Sequence, residues 1–359
     1  MTLSTENKNI KERDYWLDNV KGILIILVVV AHCIGTIFYN SLAIRQIYYF
    51  INLFHMPAFI MISGYFAKRK IDEKDYAGIF KRLLIPYVLY YCVGIIIQGF
   101  TGDTMTFNLL EPTYGMWYIL VLGIFMLITP ALIDKFGKHM MWISVVIMIC
   151  AYAFNLAISG QLFRVLTYYP FFLIGYFLQK DTLEKFNKSK VVIVLSKILA
   201  LLFFVGVFLL ILKVSDLDLR EVFWRGYNIY EQMEEIDVST NRLIALNVGA
   251  FILGILCSFG VILIAPRKKT FLSHLGQYSL YIFVLHLQAV LIMKYFYNLY
   301  RLPYAEDVTV DAILLIAFAI IMCFLFASKP VRKITRPFVE PNVNLSFVRK
   351  LIDGDNKNG

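Results

Sequence analysis

Three histidines stand inside apolar runs: His32 in the stretch Asp18 to His32, His55 in Asn52 to Pro57, and His286 in Ser279 to His286. A neutral imidazole among apolar neighbours can take a proton from a hydroxyl, relay one, or hold a metal. Metal ligation is not expected, because no carboxylate or cysteine accompanies the three at matching depth. The five cysteines are scattered through the apolar runs without a CxxC or Cys/His cluster, so they read as buried small hydrophobes. Lys21 precedes His32 by three helical turns, which puts both on one helix face about 16 Å apart. Ionisable groups in such a run cost free energy and mark a functional site by default. The structural alternative is that Lys21 anchors a helix end and each histidine is a hydrogen-bonded packing residue.

The elements that position these residues follow from composition. The chain has 359 residues, 59% hydrophobic and 17% charged, with mean hydropathy +0.68; soluble domains carry about 25% charge. The apolar residues come in runs near the length of a bilayer crossing. The expected fold is all-α, a polytopic membrane bundle of about ten helices, at roughly 20–39, 47–66, 80–100, 115–133, 140–158, 162–178, 191–212, 243–264, 275–296 and 310–328. Of the 35 lysines and arginines, this division puts 27 on the side of the termini and 8 on the other. The positive-inside rule therefore makes both termini cytoplasmic. The net charge of +10 is then a membrane-sidedness signal, and nucleic acid is not an expected partner. Residues 1–19 read as a cytoplasmic segment without a cleavable signal pattern, 20–328 as the helical domain, and 329–359 as a basic tail along the anionic inner leaflet. No internal repeat of the transporter kind is evident. With alternating span direction, the three histidines fall at nearly one depth in the outer half of the core.

Other side chains have positions suited to ligands. Arg82, one turn before Pro86, sits at the inner end of the third span, where it can meet a phosphate from the cytoplasm. Trp117 and Tyr118 open the fourth span at the outer face, as an acceptor contact or an aromatic anchor. Arg164 at the outer end of the sixth span either snorkels to water or orients a polar acceptor. Gly276, Ser279, Phe283 and His286 form one stripe, and its small residues also permit close helix packing. Pro57 allows a kink beside His55. The outer connection 214–242 holds seven acids with Phe223, Trp224, Tyr227 and Tyr230. It reads either as carbohydrate-binding or as an interfacial aromatic belt with a solvated acidic face.

Taken in order, Asp18-x2-Lys21-Gly22…His32, Phe54-His55-Met56-Pro57…Ser63-Gly64-Tyr65-Phe66, Arg82-x3-Pro86-Tyr87, Trp117-Tyr118, Tyr169-Pro170-Phe171-Phe172-x2-Gly175-Tyr176 and Leu275-Gly276-x-Tyr278-Ser279…His286 resemble the family-3 integral-membrane acyltransferases, in particular the fucose 4-O-acetylase-like branch. The resemblance runs from residue 13 to about 328. It implies a ten-helix bundle in a bacterial cytoplasmic membrane that moves an acetyl or other acyl group from acyl-CoA to a sugar hydroxyl of a surface polysaccharide or its lipid-linked precursor. No permanently bound cofactor is implied; acetyl-CoA is a substrate. The family's first-helix signature, a basic residue, ten residues and a histidine, maps to Lys21 and His32, with lysine where many members have arginine. The resemblance makes His32, His55 and His286 the catalytic candidates and Lys21 with Arg82 the donor-binding ones. Arg164, Trp117, Tyr118 and Ser279 are the substrate-binding candidates. Some relatives carry an extracytoplasmic hydrolase-like domain that completes transfer. This sequence stops soon after the tenth span, so transfer is expected in the bundle or with a partner. Two other classes fit the residues alone: a proton-coupled transporter or flippase of a glycan precursor, and a non-catalytic partner in a glycan-synthesis complex.

Overall fold

The computed structural model describes residues 14–100, 107–112, 115–154, 160–184, 189–296 and 308–342. The first thirteen residues, the tail beyond 342 and several counted cations, such as Lys185 and Arg301, lie outside them. Among the described residues every regular element is helical. The chain is an all-α polytopic membrane protein.

Helices α1 (Tyr15–Ile34) and α2 (Leu42–Asp72) are followed by α3 (Tyr76–Ile79), a π-helical turn Phe80–Leu84, and α4 (Ile85–Gly99). Next come α5 (Trp117–Phe136), α6 (Met140–Ala153), α7 (Gly160–Phe177), α8 (Lys180–Glu184) and α9 (Lys190–Val214). Two short helices, α10 (Arg220–Trp224) and α11 (Ile229–Glu235), lead into α12 (Thr240–Ile264). The last described helices are α13 (Phe271–Gln277), α14 (Ser279–Phe296), α15 (Val308–Ala327) and α16 (Lys329–Val339).

Seven described stretches are long and apolar enough to cross a bilayer, and the bent pair α13–α14 is an eighth candidate. One of the seven, Trp117–Ala153, contains both α5 and α6. As a straight helix it would measure about 55 Å, nearly two hydrocarbon thicknesses, and Gly137 breaks it at φ +55°. Helix α7 is not among the seven; its buried Arg164 and Thr167 dilute an otherwise apolar sequence. Each of the ten expected spans falls on a helix. The boundaries differ most at α2, which continues to Asp72, and at the ninth span. There the chain turns by 75° between α13 and α14 instead of running straight. The kink expected at Pro57 is not a break: α2 is helical on both sides of it.

Helices α1 and α2 are buried on most sides, whereas α9 and α15 turn their leucines and isoleucines outward. Lipid solvates such faces as well as a protein core does, so close packing has to come from shape. Two glycine crossings supply it. A Cβ on Gly22 would fall 2.7 Å from the carbonyl carbon of Leu272, and one on Gly276 would fall 2.8 Å from that of Asp18. Real Cβ atoms do not come this close, so α1 and α13 touch backbone to backbone. The same holds for α2 and α7, where a Cβ on Gly175 would sit 2.7 Å from the Met61 carbonyl carbon and one on Gly64 3.1 Å from that of Phe172.

Polar side chains fix the connections. Thr270 caps α13, and its hydroxyl donates to Asn19 Oδ1 at 2.6 Å. Asn19 in turn donates to the carbonyls of Pro266 and Lys268, tying the α12–α13 loop to the start of α1. Helix α16 lies below α14 and α15 with Ile334 and Phe338 exposed, and its Arg332 guanidinium stands 3.4 Å over the Tyr278 ring at the α13–α14 turn.

Candidate active site

Two cavities enter the bundle from opposite ends of α1. The first, of about 260 Å³, is lined by Lys21, Lys70 and Arg82, by the hydroxyl-bearing Ser63, Tyr118 and Ser279, and by apolar residues including Phe66 and Phe283. Lys21 Nζ pairs with Asp18 at 2.8 Å and lies 4.4 Å over the Phe66 ring. Arg82 is exposed on the π-helical turn, one turn before the buried Pro86 at the start of α4. Lys70, on the last turn of α2, makes a loose 3.9 Å contact with Asp75. Deeper in, Tyr118 and Ser63 share a hydrogen bond of 2.8 Å, and Ser63 also donates to the Phe59 carbonyl. The chemistry therefore grades from cationic at the mouth to hydroxylic at the throat.

The second cavity, of about 560 Å³, holds His32 and His55 with Trp117, Gln161, Arg164, Arg220 and Trp224 among its walls. The Arg164 guanidinium stands 5.0 Å over the Trp117 ring, donates through Nε to the Trp224 carbonyl at 3.2 Å, and donates through Nη1 to Gln161. Trp117 is stacked on Tyr168, and Trp224 Nε1 donates to Tyr48 Oη at 3.1 Å. A wall of rings edged by planar polar groups offers both faces a sugar can use, apolar C–H patches and hydroxyl partners.

His32 and His55 line the second cavity, and His286, which lines neither, packs between His32 and Phe283. The His32 and His286 rings are 5.2 Å apart, centroid to centroid. His286 Nδ1 lies 2.9 Å from the Ile282 carbonyl and His55 Nδ1 lies 2.8 Å from that of Ile51. A carbonyl only accepts, so Nδ1 carries the proton in both rings and each Nε2 presents a lone pair. His286 Nε2 is buried and has no hydrogen-bond partner among the described residues. Gly115, at φ +78°, is held against this group. A Cβ there would meet Leu287 at 2.7 Å and the His32 ring at 3.2 Å, so only glycine lets the chain pass.

The structure thus brings together His32 and His286, places His55 on the same cavity as His32, and gathers Lys21, Arg82 and Ser279 at the other. It separates one expected pair. Trp117 faces the second cavity with Arg164, but Tyr118, expected beside them, lines the first. Successive residues on a helix point about 100° apart, so adjacent aromatics serve different cavities. Lys70 and Ser63 in the first cavity, and Gln161, Arg220 and Trp224 in the second, were not named as site residues from sequence, although Ser63 fell within a quoted motif and Trp224 within the connection read as carbohydrate-binding. The Arg220 and Trp224 positions in an aromatic-rich outer connection were the signal available for two of them.

Part of that connection is drawn into the bundle, while Asp216, Glu234 and Asp237 stay exposed. Tyr39 and Tyr49 both donate to Asp218, at 2.9 and 3.0 Å, and buried Glu221 pairs with Arg220 at 2.8 Å. Burial raises the Glu221 carboxyl above the ordinary carboxylate range, against the opposing pull of Arg220. Arg225, in the left-handed region at φ +53°, is fully buried. Its Nη2 donates to the Ala250 carbonyl at 2.7 Å, its carbonyl accepts from Thr167 at 2.9 Å, and its guanidinium stands 5.2 Å from the Phe171 ring. The segment is therefore pinned into the bundle between α7 and α12, where it walls the second cavity.

Fold and cavities define a class: an all-α polytopic membrane protein with cavities at the two ends of α1 and a pair of packed histidines at the inner end of one of them. The model of the family-3 acyltransferases, described as an acyltransferase domain, matches residues 14–328, and the chain belongs to that family. Among curated proteins it is 33% identical over 195 residues to the nodulation protein NolL of Sinorhizobium fredii, covering 48% of this chain and 50% of that protein. It is 29% identical over 182 residues to NolL of Mesorhizobium japonicum, covering 46% of this chain and 47% of that one. The chain spans about half the length of the curated relatives it matches. No solved structure matches it.

Proposed function

We propose that this protein is an O-acyltransferase that moves an acetyl group from acetyl-CoA to a sugar hydroxyl of a cell-surface glycan or its lipid-linked precursor. The observation that carries the reading is a cationic cavity and a histidine-bearing aromatic-polar cavity that adjoin at Phe283, whose ring packs on His286 and through it on His32. The CoA phosphates sit against Lys21, Lys70 and Arg82 at the mouth of the first cavity, where charge-assisted contacts are strongest. The thiol arm passes Ser63, Ser279 and Tyr118. The sugar enters the second cavity between Trp117, Trp224 and Arg164. An imidazole Nε2, assigned to His32, takes the hydroxyl proton as the sugar oxygen attacks the thioester carbonyl. The C–S bond then breaks, and the imidazolium returns the proton to the thiolate. His286 orients His32 or relays its proton across their 5.2 Å separation, and His55 contributes its own Nε2 from the same wall.

The excess of lysine and arginine on the Lys21 side supports a cytoplasmic donor and cytoplasmic termini in a bacterial cell membrane. The experiment is NMR of the surface glycan with and without this protein, paired with transfer from labelled acetyl-CoA in membranes. An O-acetyl signal and acceptor-bound label that both depend on the protein support the reading. Transport of unmodified glycan with no label transferred contradicts it.

A further inference from the structure

The two cavities have one lining residue in common, Phe283. It lies on α14 one turn after Ser279, which lines the cationic cavity, and one turn before His286, which touches His32. Its ring is buried and held on two sides, 5.0 Å from the Tyr118 ring and 5.7 Å from the His286 ring, centroid to centroid. Tyr118 is itself fixed by the Ser63 hydrogen bond and by the Phe59 ring at 5.4 Å. A donor threaded past Ser63 and Ser279 therefore meets a phenyl ring before it meets the histidines.

We propose that Phe283 is the partition between the donor and acceptor cavities: in the resting state it keeps water of the acceptor cavity from the thioester, and its ring swings aside for transfer. The chemistry gives the partition a purpose. A thioester meeting water hydrolyses: the water oxygen adds to the carbonyl, the C–S bond breaks, and the two water protons end on the carboxylic acid and the thiolate. That reaction needs no oxidant and no other reactant. It is slow without a catalyst, but a histidine that can deprotonate a sugar hydroxyl can also deprotonate water. Keeping acceptor-side water from the thioester therefore suppresses it. A phenylalanine suits the task because it is large and apolar, and moving it breaks no hydrogen bond. The positions of the residues around it fix what moves. Tyr118 is anchored by its hydroxyl and His286 by its Nδ1, which leaves the Phe283 ring as the mobile part of the stack.

The partition itself is tested without catalysis. In a background with Cys33, Cys92, Cys150, Cys257 and Cys323 replaced, Ser279→Cys is the reporter, and a membrane-impermeant thiol reagent is applied to each face of sealed vesicles. With Phe283 present, the reporter should label from the Lys21 face and not from the Trp224 face. Phe283→Ala and the milder Phe283→Leu should open labelling from the Trp224 face, and Phe283→Trp should keep it closed. Labelling from the Trp224 face that is the same in all four proteins overturns the proposal. This arm stands whether or not the acyl-transfer reading does. The second arm rests on that reading: with hydrolysis of acetyl-CoA measured without acceptor and transfer measured with it, Phe283→Ala should raise the ratio of hydrolysis to transfer by about tenfold, a loss of about 1.4 kcal/mol in discrimination. An unchanged ratio, with transfer by the parent intact, refutes the partition and leaves the acyl-transfer reading standing.

Discussion

The separation of the histidine pair rests on a backbone crossing far from it, and Gly276→Ala tests that dependence. Helix α1 carries Lys21 and His32, the α13–α14 unit carries Ser279, Phe283 and His286, and the two meet at Gly22 and Gly276. A Cβ on Gly276 would stand 2.8 Å from the Asp18 carbonyl carbon and 2.9 Å from Gly22 N, where ordinary contact begins at 3.4 Å. Both neighbours are main chain and cannot rotate away, and the Asp18 carbonyl oxygen lies closer still, so the helices must part by more than the roughly 0.6 Å by which the carbonyl carbon falls short of van der Waals contact. Overpacking of this kind costs about 1–3 kcal/mol. Misplacement of reacting groups by about 1 Å costs on the order of a hundredfold in rate, so a shift of more than half that size should cost at least about tenfold. The assay is thermal unfolding in detergent with acetyl transfer from labelled acetyl-CoA in membranes. Gly206→Ala and Gly249→Ala are the controls, since nothing lies within 4 Å of a Cβ at either site. They should be neutral or stabilise by up to about 1 kcal/mol, the helix-propensity difference. Gly22→Ala should resemble Gly276→Ala, and the double variant should lose less than the sum, because one separation admits both methyls. If Gly276→Ala behaves like Gly206→Ala in both stability and rate, the crossing does not set the site.

Three further outcomes are expected. Lys70→Gln should raise KM for acetyl-CoA severalfold with kcat within about twofold, the loss of one cation–phosphate contact that binds ground and transition states alike; steady-state kinetics in membranes reads it. Tyr118→Phe removes the 2.8 Å bond to Ser63 while keeping the ring against Phe283, so thermal unfolding should report a loss of about 1 kcal/mol. The raised pKa of Glu221 means that its protonation favours the folded state. Its contribution is fully present below the unfolded carboxylate value of about 4.3 and is lost as pH rises through the higher folded value. Glu221→Gln should therefore match the parent near pH 4 and gain on it toward pH 7 in a melting-temperature series.

The ten apolar runs and the three buried histidines were legible because hydropathy and span length are local properties that a bilayer enforces. What was not legible depends on contacts between distant segments. The turn between α13 and α14 has no proline or glycine at Tyr278 to announce it; Thr270 capping, the Gly22–Gly276 crossing and Arg332 on the Tyr278 ring define it instead. Lys70 was hidden because α2 runs beyond the apolar stretch that signalled it, and charged residues at a span end read as an interface anchor. Tyr118 and Trp117 looked like one feature in sequence, whereas helix geometry sends them to different cavities. The acidic outer connection was legible only in part for a similar reason. Its charges are conspicuous in sequence, but Arg225 and Glu221 are buried by partners on α7, α10 and α12 that no local pattern reveals.

The central claim is that His32 takes the acceptor proton in the second cavity. Its most direct test is transfer of labelled acetyl from acetyl-CoA to the glycan acceptor by membranes carrying His32→Ala, with donor binding measured on the same preparation. Abolished transfer with donor binding retained is the predicted result. Transfer at the parental rate would contradict the account.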